Sequence, residues 1–185
     1  MPILLLLFSL VMARAVQGQS EQDRMSLLSR YEKFAATPGR VTAVNKQYIG
    51  KVKTWRVEVR KVTDVKTDSS LLGLSLFFNE QGLRYSFFLD ADELPAILDL
   101  LRYGQRMVEG SIGDKTNVDV IAANGVHVSC FYHAGLYIKG WYLVCRQVYP
   151  GTNIKAYEDS LEIPGKEIEK MIVLIQHAQA ALAQL

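Results

Sequence analysis

The sequence is short of cysteine, proline and histidine. It has two cysteines, five prolines and three histidines in 185 residues. Two cysteines cannot build a disulfide-dense mini-protein or a four-cysteine zinc site. Sparse proline without a Gly-X-Y period excludes a collagen-like chain. Neither sign of charge dominates, with 21 Lys+Arg against 19 Asp+Glu and a net charge of +2. That balance supplies no field to draw the chain to nucleic acid or to an acidic substrate. No Asn-x-Ser/Thr triplet occurs, so no N-glycosylation site is present. No apolar run reaches the roughly 20 residues of a membrane span. A Gly-rich phosphate loop is missing too.

What remains is ordinary globular material: 49% hydrophobic and 22% charged residues, enough for one domain with a real core. The first eighteen residues stand apart. Ile3 to Met12 is apolar except for Ser9, and the small residues Ala13 and Ala15, then Gly18, follow it. An apolar run of about ten residues ahead of small residues reads as a secretory signal peptide. Cleavage is expected after Ala15 or Gly18. The expected organisation is therefore a signal peptide over 1–18 and a single α+β domain over 19–185, secreted or periplasmic.

Ser20 to Ala36 reads as a helix with Leu27, Leu28, Tyr31 and Phe34 on one side, capped by Ser20 or Asp23. Val41 to Lys66 is strand territory. Trp55, Val57 and Val59 alternate with Arg56, Glu58 and Arg60, and the phase slips at Val62 and Val65, which predicts a bulge after Arg60. Leu71 to Phe78 and Leu83 to Leu89 flank a hairpin loop at 79–82. Asp90 is placed to cap the next helix with Glu93 at the capping-box position, and Leu94, Ile97, Leu98, Leu101 and Val108 form its stripe. Val118 to Ala122 and Val126 to His133 flank Asn124-Gly125, the strongest hairpin signal in the chain. Leu136 to Tyr149 is a further strand after a turn at Ala134-Gly135, and Ile154 to Tyr157 a short one. A last helix is expected from about Pro164 to Ala183, burying Ile168, Met171, Ile172, Ile175 and Leu182.

Short hairpin loops demand antiparallel pairing. The predicted fold class is α+β: antiparallel sheets with helices packed on one face, preceded by an N-terminal helix. Two pseudo-repeated halves, 41–110 and 116–184, are suggested by a match at an offset of 69. Asp90 and Asp159, Glu93 and Glu162, and Pro95 and Pro164 coincide at that spacing.

Several residues carry chemistry in principle. Cys130 and Cys145 lie on neighbouring predicted strands; an exported chain would either join them in one disulfide or bury them as free thiols. A tight turn at Ala134-Gly135 would set position 145 opposite about 125, so a bridge requires a wider loop. His127, Ser129 and His133 share a strand face opposite Cys130, which separates the thiol from both imidazoles. His127 and His133 stand about 20 Å apart at strand rise, too far to share a metal. Asp90, Asp92 and Glu93 suit helix capping better than acid–base chemistry. The basic residues Lys51, Lys53, Arg56, Arg60, Lys61 and Lys66 are interrupted by Glu58 and Asp64. Aromatic residues concentrate in 131–149, where Tyr132, Tyr137, Trp141 and Tyr142 are the candidate binding surface.

No catalytic set, metal site or cofactor motif is expected. The reading that follows is an exported, non-enzymatic module binding a protein, peptide or surface ligand. Two alternatives remain. One is an extracytoplasmic hydrolase using His127, His133 and Ser129, favoured if a histidine meets both a nucleophile and a carboxylate. The other is a single-stranded nucleic-acid binder, suggested only by the strands-then-helix order and opposed by the charge.

Overall fold

The computed structural model describes residues 28–80, 83–110, 117–134, 139–147 and 161–185. Four strands, β1 (Thr42–Val52), β2 (Trp55–Asp64), β3 (Ser70–Glu80) and β4 (Leu83–Asp90), form one antiparallel meander. A 3-10 turn at 91–93 leads into helix α2 (Leu94–Val108). The pattern then repeats. The strands β5 (Val118–Ile121), β6 (Val126–Ala134), β7 (Lys139–Gln147) and β8 (Leu161–Pro164) make a second meander. A 3-10 turn at 165–167 opens helix α3 (Ile168–Leu182). A short helix, α1 (Arg30–Ala35), precedes both units. The fold is α+β.

The two units share one core. Helix α2 packs on α3 and on β5 and β6 of the second sheet, while α3 packs on β1 and β2 of the first. Each helix thus covers the other unit's sheet. The inner faces contribute Trp55, Val57, Val59, Leu74, Leu76, Phe87 and Leu89 from one sheet, and Val126, Val128, Cys130, Leu143, Cys145 and Ile163 from the other. Both sheets and both helices meet around an apolar cavity of about 20 Å³ bordered by Trp55, Leu101, Cys145 and Ile175.

The helix starts show the repeat in detail. Glu93 takes the N–H of Asp90 at 2.8 Å, and its other oxygen takes the N–H of Ala123 in the β5–β6 hairpin at 2.6 Å. Glu167 holds the corresponding place before α3. It pairs with Lys170 at 2.7 Å and lies 3.9 Å from Lys53 in the β1–β2 hairpin. Each helix start is therefore tied to the first hairpin of the other unit. Glu93 and Glu167, like Leu94 and Ile168, are 74 positions apart. The offset of 69 fails in phase: Pro95 lies in the first turn of α2, whereas Pro164 closes strand β8. Asp159 lies outside the described residues.

Other expectations also change. Ser29, not Ser20 or Asp23, caps the described N-terminal helix, through a reciprocal box with Glu32, and residues 28 and 29 are not helical. Strand β2 runs unbroken to Asp64, and the irregularity falls in β1 between Tyr48 and Gly50. Val62 breaks the alternation because α1 covers the outer face of the first sheet there, leaving Val62 fully buried. Tyr31 stacks on Phe88 at 5.6 Å on that face. Asp90 fixes α1, accepting the N–H groups of Arg30 and Tyr31 at 2.9 and 3.1 Å. The predicted strand at 154–157 lies outside the described residues. The last strand is β8, and α3 begins at Ile168, four residues after the expected start.

Candidate functional site

The outer face of the second sheet carries the site, and strand register builds it. Asp119 lies opposite Ser129, Ser129 opposite Val144, and Val144 opposite Glu162. These four residues form one row across all four strands. Ile121, His127 and Arg146 form the row on one side, and Phe131, Tyr142 and Pro164 the row on the other. Alternation along a strand sends every second side chain to this face, so Asp119, His127, Ser129 and Arg146 converge here from three strands.

His127 and Ser129 are buried, at 8% and 7% exposure, and a hydrogen-bonded network holds them. The Nε2 of His127 lies 3.0 Å from Asp119 Oδ1. Ser129 Oγ donates to the same oxygen at 2.5 Å and sits 3.2 Å from His127 Nε2. On the far side of the ring, Arg146 donates to His127 Nδ1 from Nε at 3.0 Å and from Nη2 at 2.7 Å. A guanidinium has only donors, so Nδ1 is the acceptor. The proton of the neutral ring then sits on Nε2 and points at Asp119. A serine is activated by the opposite arrangement, with a free Nε2 lone pair facing the hydroxyl. Here the hydroxyl proton goes to the carboxylate, and the three side chains brace one another.

Beside this network is a depression of about 130 Å³ lined by Asn117, Asp119, Ser129, Phe131, Val144, Arg146 and Glu162. An aromatic group borders it: Phe131 and Tyr142 lie 6.2 Å apart, and each ring is 6.4 Å from His133. His133 is too remote in the strand to join His127. Among the described residues, no group of three or more histidine, cysteine or acidic side chains is placed to hold a metal ion.

The candidate aromatic surface divides between two faces. Tyr142 belongs to the outer face just described. Tyr132 and Trp141, directly opposed across β6 and β7 with ring centroids 5.4 Å apart, lie on the inner face, where Trp141 packs against the core. Tyr137 lies outside the described residues. The disulfide does not form: both cysteines are free and buried. Residues 135–138 join the strands and Ala134 pairs with Lys139, so Cys145 faces Val128 and Cys130 faces Leu143. The two are diagonal neighbours, about 7–8 Å apart at Cα, beyond the roughly 4.4–6.8 Å a disulfide spans. Burial pushes the Cys130 thiol up to about 11, and that of Cys145 up to about 12.

Asp90 and Glu93 are used at helix starts, as their capping pattern implies. Arg56 and Arg60 both pair with Glu58, which divides the basic stretch. Asp119 and Arg146 were not singled out by the sequence, and Glu162 entered only as the repeat match of Glu93. Asp119 and Glu162 alternate with apolar residues, Arg146 lies between Cys145 and Gln147, and only the register shows that the three share a face. Compared with known protein families and with curated proteins, the chain matches none. Among the described residues no helix is long and apolar enough to cross a membrane.

Proposed function

We propose that this is an exported, non-enzymatic module that binds a protein, peptide or surface ligand through the outer face of its second sheet. One observation carries the reading: a sheet face that no helix covers among the described residues, where a braced polar network borders both a cavity of about 130 Å³ and the aromatic group Phe131, His133 and Tyr142. Binding sites favour concave places with a few convergent polar groups. Tyrosine at an exposed face gives large contact area at small entropic cost. Export rests on the apolar run at 3–12 and the small residues after it.

The test is selection from a random peptide library displayed on phage, using the purified chain and its Tyr142→Ala variant. Enrichment with the native chain that is lost in the variant supports the reading; failure to enrich any sequence overturns it. N-terminal sequencing of the native protein tests export separately, with Val16 or Gln19 expected as the first residue.

A hydrolase is the second reading, because His127 meets both Ser129 and Asp119. The Arg146 contact to Nδ1 opposes it. Ester turnover by the native chain that Ser129→Ala abolishes, with stability unchanged, would bring the hydrolase forward.

A further inference from the structure

We propose that the cavity on the outer face of the second sheet takes the ammonium end of a lysine side chain from a bound peptide or protein, an inference that rests on the binding-module reading above. Two carboxylates and one guanidinium line the cavity. The guanidinium is engaged elsewhere, since Arg146 directs Nε and Nη2 to the Nδ1 of His127. Among the described residues, neither Asp119 nor Glu162 forms an ion pair with a lysine or arginine. One oxygen of Asp119 already accepts from His127 and Ser129. Its second oxygen has no donor among the described residues, and its side chain remains 46% exposed. Glu162 is exposed on the edge strand at the other side of the sheet. Among the described residues the cavity therefore offers two carboxylates, one from each edge of the sheet, against the single guanidinium of Arg146.

The rest of the lining suits the stem of the same side chain. Val144 lies between the two carboxylates in the row, and Phe131 flanks it. A lysine lays its methylenes along apolar surface and keeps its charged end among polar groups. An ammonium near the face of an aromatic ring gains further attraction. A carboxylate guest would instead meet two like charges against one guanidinium, two of whose nitrogens already face the imidazole.

The experiment is a titration followed by amide chemical shifts of the full chain, with three blocked amino acids as probes: N-acetyl-lysine amide, its uncharged norleucine counterpart and N-acetyl-glutamate amide. The lysine probe is expected to shift Phe131, Val144 and Glu162. Its affinity should fall about fivefold in Glu162→Gln, the scale of one exposed ion pair, and again with added salt. Asp119→Asn, which retains an acceptor oxygen for Ser129, is the second variant. Equal binding of norleucine, preference for glutamate, or no response of these residues to lysine each overturns the inference. The peptide selection separates the two claims. Selected peptides that need Tyr142 but carry no lysine overturn the lysine inference alone, whereas an empty selection overturns the binding-module reading itself.

Discussion

Asp64 shows how a single side chain ties stability to pH. The Lys66 N–H donates to its Oδ1 at 2.8 Å and Arg40 pairs with its Oδ2 at 3.0 Å. The Lys66 N–H first, then the Thr67 N–H and Arg40, outweigh burial and hold the carboxyl below its ordinary value. A depressed carboxyl stabilises the fold above its unfolded pKa, near 3.9, and that contribution is lost as pH falls through the lower folded value. Asp64→Asn should therefore weaken the native chain at neutral pH and flatten its loss of stability below about pH 4, as read by urea midpoints across an acid series. The cysteines give a second expectation. With both thiols buried and their pKa values raised, the native chain should resist iodoacetamide, and both should react once urea opens the fold. One-site labelling of the native chain would contradict the burial.

Close approach governs the elements. A Cβ on Gly104 of α2 would lie 2.8 Å from the Sγ of Cys130 and 3.2 Å from its Cβ, so glycine lets the helix sit down on β6. Gly104→Ala gains about 1 kcal/mol of helix propensity against an overpacking cost of about 1–3 kcal/mol. A net loss is expected in chemical unfolding, and Cys130→Ala in the same chain should recover part of it. A purely additive double-mutant cycle would show that the contact carries no strain. Local chemistry made some elements legible in the sequence: the Asn124-Gly125 hairpin, the Asp90 and Glu93 pattern and the stripe of α3 occur as read, while α2 buries Leu100 and Met107 beside the expected Leu94, Ile97, Leu98 and Leu101 and leaves Val108 half-buried. Pairing between distant segments did not. The row Asp119, Ser129, Val144 and Glu162 depends on the register of four strands, and the four-residue spacer at 135–138 shifted that register from the one a tight turn implies. The short edge strand β8 carries Pro164 at its end and merges with the helix signal behind it, so it was read as helix start.

The reciprocal placement of α2 and α3 predicts that the two units unfold together. Among the described residues, the inner face of each sheet is covered by the other unit's long helix, so each unit depends on the other. Each unit also carries one tryptophan, Trp55 in the first and Trp141 in the second. Trp55→Phe and Trp141→Phe variants, each leaving one reporter, should show fluorescence midpoints in urea that agree with the loss of circular dichroism in the same variant. Tryptophan signals that part from the backbone transition would mean the units melt independently. The crossed helices also set an order in time. Residues 168–182 close the first sheet, and they leave the ribosome 74 residues after α2. The last strand of that sheet ends at Asp90 and α3 ends at Leu182, 92 residues later, so at about 5–20 residues per second the first sheet waits roughly 5–18 s for its cover. Until α3 is made, the inner face of the first sheet lacks that cover, a window in which a chaperone can still hold the nascent chain.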